Sequence, residues 1–187
     1  MKINRYGRAR VLSSEELNIL LQEIPEGSHR VLAHLLRRTS ARVSEGLQLK
    51  WGYINDRSIV FPALITKRAK KSREIPLHPD LKIIFHSWEA DFNQPVKAMD
   101  WVFPGQTPGE HLTRQSFDYV LRKSAKACGF NGLSSHSFRR SALTAASAKN
   151  ILLRDFMEPS GRSDLGTLQR YLEVSPEAKK RAALAFA

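Results

Sequence analysis

The stretch from residue 58 to residue 77 reads SIVFPALITKRAKKSREIPL, and it is where the hydrophobic period of this chain changes. Upstream, apolar residues recur every three or four positions. Here that recurrence stops: a short apolar run at 59–61 and the alternation over 72–77 suit extended segments, in which successive side chains point to opposite faces. Residues 58–61 read as one strand and residues 72–77 as a second. Between them lies a cationic turn with Lys67, Arg68, Lys70 and Lys71. The expected fold class is therefore α+β: a mostly helical domain with a small antiparallel sheet.

Toward the N-terminus the signals are helical. Ser13 and Glu16 have the spacing of a capping box, and Leu17, Leu20, Leu21 and Ile24 follow on one helical face. Pro25 and Gly27 stop that helix. A second is expected over residues 28–38, with Val31, Leu32, Leu35 and Leu36 apolar. Residues 39–42 read as a break, and 43–49 as a short third helix. Beyond the sheet, helical pattern returns over 79–90. Residues 93–109 carry Pro95, Pro104, Gly105, Pro108 and Gly109, which predicts loop around the apolar run Trp101, Val102 and Phe103. Thr113 can cap a helix bearing Phe117, Val120, Leu121 and Cys128, ended by Gly129 and Gly132. Further helices are expected over 137–149, around Leu165, Leu168 and Leu172, and from Pro176 to Phe186.

The 187 residues suit one domain with a sizeable core. No apolar run is long enough to span a bilayer. The basic stretch 1–10 is not followed by the apolar run and cleavage site of a signal peptide. A single cysteine, Cys128, cannot form an internal disulfide and fits a reducing compartment. The formal charge of +12 favours a polyanionic partner, most often nucleic acid. The sequence offers no clustered carboxylates of the kind metal-dependent hydrolysis needs, so a metal-dependent nuclease is not expected; no cofactor is expected.

Three short segments are unusual for a helical core. Arg42 and Glu45 lie at the start of the short third helix. Taken alone, such a pair at i, i+3 most often sits on the surface and contributes little. His136 and Arg139 share a helical face, which can offer an imidazole and a guanidinium to one phosphate. Ordinary surface cations at a helix start are the equally good alternative. Tyr171 stands between Arg170 and Leu172, where a tyrosine is usually a packing residue.

In order and surroundings the three segments resemble the catalytic domain of the tyrosine recombinases, the phage integrase family. Arg42, Val43, Ser44 and Glu45, followed by Leu47, Leu49 and Trp51, are similar to the family's first arginine motif. Thr66, Lys67 and then Ser72, Arg73, Glu74, Ile75, Pro76 and Leu77 resemble its β-hairpin, and His136 with Arg139 its histidine-x-x-arginine box. Tyr171 falls where the family's nucleophile sits. The likeness runs from about Val11 to the C-terminus.

The resemblance implies site-specific recombination or integration of double-stranded DNA through a 3′-phosphotyrosyl intermediate. Arg42 and Arg139 would neutralise the phosphate, His136 would handle a proton, Lys67 would protonate the leaving oxygen, and Glu45 would support Arg42 or the lysine region. Lys70 and Lys71 share the hairpin, but Lys67 directly follows Thr66, as the family's lysine does. It also implies self-association as a tetramer on DNA, a C-terminal helix that docks on a neighbouring subunit, and a cytoplasmic protein of prokaryotic or phage origin.

Two departures from the family pattern stand out. Where the family has histidine or tryptophan, nine residues before the tyrosine, this chain has Arg162. Arginine can donate to a phosphate oxygen but cannot accept a proton near neutral pH. The family's N-terminal DNA-clamping domain is also expected to be absent from residues 1–187, which read as the catalytic domain alone. Two other functions compete: relaxation of supercoiled DNA by the same tyrosine chemistry, as in type IB topoisomerases, and DNA binding without cleavage.

Overall fold

The computed structural model describes residues 7–66, 71–148, 155 and 183–184. Helix α1 spans Ser14–Glu23, α2 Ser28–Thr39 and α3 Val43–Leu47. Strands β1 (Ser58–Phe61) and β2 (Arg73–Pro76) follow, then α4 (Pro79–Ala90), α5 (Arg114–Ala127) and α6 (Ser135–Ala148). The expected short helix around Leu165, Leu168 and Leu172 lies outside the described residues. So does most of the expected helix at 176–186, of which Ala183 and Leu184 are helical and exposed.

The local signals act as their chemistry requires. Ser13 accepts from the Glu16 backbone N–H while the Glu16 carboxylate accepts from the Ser13 N–H, closing the capping box of α1. Leu17, Leu20, Leu21 and Ile24 are all buried. Thr113 caps α5 through Ser116, and Phe117 and Leu121 are buried, with Val120 and Cys128 packed partly against them. Residues 93–109 are loop, threaded by short bridges that seat Val102 and Phe103 in the core.

The two strands pair antiparallel, with Ile59 opposite Ile75 and Phe61 opposite Arg73. Helix α2 is the central element. Its buried face carries Val31, Leu32, Leu35 and Leu36, and α1, α3, α4 and α6 all pack against it. Gly46 lets α3 approach closely, because a Cβ there would come within 2.8 Å of Leu32 Cδ1. Helix α6 is pinned from the N-terminal segment. The Leu12 N–H donates to Ser141 Oγ at 2.8 Å, and the buried Arg140 donates to the Ala9 carbonyl.

His34 also lies on α2, partly buried. Burial, and then the charges of Arg37, Arg38 and Arg30, lower its pKa from 6.5 to about 4, against an opposing effect of Asp80. The folded state therefore refuses a proton that the unfolded chain takes up below 6.5. Its contribution to stability is present above 6.5 and is lost as the pH falls toward about 4. His29, which burial also lowers, adds in the same direction. Denaturant midpoints at pH 7 and pH 5 are expected to differ less for His34→Gln than for the wild type. Equal differences would remove His34 as a cause.

Candidate active site

The short break between α2 and α3 builds the site. Helix α2 ends at Ser40, the one non-glycine residue with positive φ (51°) among the described residues. A left-handed serine costs on the order of 1 kcal/mol. It is held there by two bonds: its N–H donates to the Leu36 carbonyl, and its own carbonyl accepts from Arg139 Nη1 at 2.7 Å. The turn reverses the chain so that Arg42, two residues on, caps α3. The Arg42 side chain keeps 28% of its surface exposed.

Glu45 is fully buried and gathers three donors. Its Oε1 accepts from Arg42 Nη1 at 2.6 Å, and its Oε2 from the Arg42 backbone N–H and from Arg73 Nη2, each at 2.8 Å. Burial by itself raises the carboxyl pKa. The hydrogen bond and charge of Arg73, with the two bonds from Arg42, outweigh it and hold Glu45 below the usual 4.5. Arg42 and Glu45 are thus no surface ion pair. The third partner, brought from a different element, makes burial of the carboxylate tolerable.

Arg139 and Arg140 are buried as well, so they are not surface cations at a helix start. Helix α6 begins two residues earlier than its polar signals suggested, which places His136 inside its first turn. His136 is exposed, while Arg139, one turn further along, is only 2% exposed. The face they share runs from solvent into the site. Arg42, Glu45 and Arg139 are therefore brought together, with His136 at the open end of α6. Lys67, Arg162 and Tyr171 lie outside the described residues.

Sequence reasoning missed two contributors. Ser40 joins the arginines of α6 and α3 through its backbone, which its side chain cannot advertise. Arg73 did carry a signal: on an alternating strand it shares the inward face with Ile75. It is 6% exposed and stacks on Phe61, 4.4 Å from the ring centroid.

Among the described residues, no group of three or more His, Cys, Asp or Glu is placed to hold a metal ion. None of their helices is long and apolar enough to cross a membrane. A pocket of about 360 Å³ beside α4, lined by Trp51, Phe85 and His86 among others, includes none of the candidate catalytic residues.

Residues 10–178 match the phage integrase family. The chain is similar to the tyrosine recombinase XerD of Rhizobium meliloti (strain 1021), 27% identical over 184 residues, covering 90% of this chain and 58% of that protein. It is also similar to the tyrosine recombinase XerC of Corynebacterium efficiens, 29% identical over 146 residues, 78% of this chain and 46% of that one. The chain spans about half the length of these relatives. The fold matches the XerH site-specific recombinase, solved bound to its palindromic difH substrate after cleavage. The TM-score is 0.76 at 23% identity, over 97% of this chain and 54% of that one. It matches the catalytic domain of bacteriophage HP1 integrase at a TM-score of 0.63 and 16% identity, over 88% and 87% of the two chains. With the family match covering nearly the whole chain, and with the arginine motif, hairpin and histidine-x-x-arginine helix in the order this family uses, the chain belongs to the phage integrase family of tyrosine recombinases.

Proposed function

We propose that this chain is the catalytic domain of a site-specific recombinase that cleaves and rejoins double-stranded DNA through a 3′-phosphotyrosyl bond at Tyr171. The observation that carries this reading is that Arg139 donates to the carbonyl of Ser40, two residues before Arg42, while Arg42 is held by Glu45. Two guanidiniums held this way suit the non-bridging oxygens of one phosphodiester, whose charge grows as phosphorus is attacked.

In the proposed step the Tyr171 phenol oxygen bonds to phosphorus and the bond to the 5′-oxygen breaks. A free phenol, with a pKa of about 10, is a weak nucleophile at neutral pH. His136 accepts its proton, and Lys67 supplies one to the departing 5′-oxygen. Arg162 donates to the phosphate but takes no proton, which leaves His136 as the base. Attack by a 5′-hydroxyl on the phosphotyrosine reverses the sequence, so bond energy is conserved and no nucleotide is consumed.

Double-stranded DNA is the proposed partner, supported by the charge of +12 and by the substrate-bound state of XerH. Assembly as a tetramer on that DNA and action in the bacterial cytoplasm, with the clamping domain supplied from outside residues 1–187, complete the proposal.

The test is covalent capture. The protein is incubated with a nicked suicide duplex, or with genomic fragments where the site is unknown, and then denatured. A protein–DNA band that survives denaturant, disappears in Tyr171→Phe and yields one recurrent sequence is expected. Absence of the band on a duplex that the protein demonstrably binds would favour DNA binding without cleavage. Relaxation of any supercoiled plasmid, without sequence preference, would favour the topoisomerase activity.

A further inference from the structure

We infer that Arg73 is a positioning residue for the cleavage step, acting through Glu45 on Arg42. The inference rests on the recombinase reading above, in which Arg42 contacts the scissile phosphate. It starts from an imbalance in hydrogen bonding. Arg73 is buried, and among the described residues only its Nη2 is engaged, with Glu45 at 2.8 Å. Its Nε and Nη1 have no partner among the described residues. A buried guanidinium with two idle donors is a poor choice for stability, because an apolar side chain on the same inward face would leave nothing unsatisfied. Its neighbours on that face and across the sheet, Ile75 and Phe61, are such side chains.

What Arg73 does supply is geometry. Glu45 Oε2 takes Arg73 and the Arg42 backbone N–H, while Oε1 takes the Arg42 guanidinium. With Arg73 in place the carboxylate stays ionised, and its plane is set from the strand side. The free oxygen edge then holds Arg42 in one orientation at 2.6 Å. Phe61, opposite Arg73 in the sheet register, fixes the guanidinium from its flat side. The chain of contacts runs from β1 to Phe61, Arg73, Glu45 and Arg42, and it fastens the two-stranded sheet to the start of α3. Without Arg73, Glu45 keeps a single cationic partner and can turn, and Arg42 turns with it. Small misplacement of a group that binds the transition state is costly in rate even when the fold survives.

The experiment is a double-mutant cycle on single-turnover formation of the covalent adduct. It uses the duplex recovered by covalent capture, at saturating protein and well below the melting temperature of every variant. Arg73→Met and Arg42→Lys are made singly and together. Arg73→Met is expected to cleave roughly 10- to 100-fold more slowly. The double variant is expected to cleave no more slowly than Arg42→Lys alone, because the two residues act on one interaction. Arg73→Lys, which keeps a cation for Glu45, should recover part of the rate. Rate losses that multiply in the double variant would overturn the inference, as would a folded Arg73→Met with the wild-type rate. A wild type that binds the duplex but forms no adduct would overturn the recombinase reading itself, and the inference with it. Should Arg73→Met fail to fold, Arg73→Gln replaces it in the same cycle, with the same two outcomes.

Discussion

Arg139→Lys is expected to slow formation of the covalent adduct by about 10²- to 10³-fold, the usual cost of losing one pre-organised donor to a developing oxyanion. The reason is geometric. Lysine keeps the charge but replaces a planar fork with a point donor. In the proposed function Arg139 would have two tasks, since its Nη1 already donates to the Ser40 carbonyl at 2.7 Å. One rigid guanidinium can serve a backbone carbonyl and a phosphate at once, whereas an ammonium on a flexible stem cannot hold both positions. The structural loss is smaller. A hydrogen bond from a charged donor contributes about 1.5–3 kcal/mol, and lysine retains part of it. Thermal melts should therefore show a modest drop beside a severe kinetic defect. A variant that melts far lower yet cleaves at the wild-type rate once folded would assign Arg139 to the Ser40 turn alone.

Glu45→Gln should produce the largest loss of stability among single changes in the site, roughly 3 kcal/mol, because it leaves two buried or half-buried guanidiniums without their counter-charge. For a chain of this size that corresponds to roughly 6–12 °C in Tm. The amide retains one acceptor but turns an NH₂ toward the other arginine. The sign of the pH dependence follows from the depressed carboxyl pKa. The folded state holds Glu45 ionised more tightly than the unfolded chain does. Its contribution is therefore full above 4.5 and is lost as the pH falls through the lower folded value. The stability gap between wild type and Glu45→Gln is expected to be widest near neutrality and to narrow on acidification below 4.5. A gap that stays constant down to acid pH would mean that the charge of Glu45 contributes nothing. Cleavage should fall as well, since Arg42 loses the group that aims it.

The helices were legible because their signals are local. The capping box at Ser13 and Glu16, the apolar faces of α1 and α2, the Thr113 cap and the short apolar run at residues 59–61 each depend on neighbours a few positions away. The strand at 72–77 was trimmed to Arg73–Pro76, because β1 offers only four residues to pair with. The start of α6 was misplaced by two residues, since Ser135 and His136 read equally well as cap or helix. The candidates Arg42, Glu45, His136 and Arg139 could be picked out by order and residue type, and together with the hairpin and Tyr171 they carried the resemblance to the family.

Burial and partnership belonged to the tertiary structure. An arginine and a glutamate three residues apart look the same on a surface and in a core. What separates the two cases here is Arg73, 28 residues further along the chain, which neutralises Glu45 once β2 is packed beside α3. Likewise nothing near Ser40 announces that its carbonyl will meet Arg139, 99 residues away, and so justify a left-handed turn. The sequence by itself determined the elements, the cationic character and the reactive residue types of this protein, because propensity, period and charge are properties of short segments. The tertiary structure alone decided which charges are buried and which donors meet which acceptors, because those energies depend on groups that only folding brings within hydrogen-bond distance.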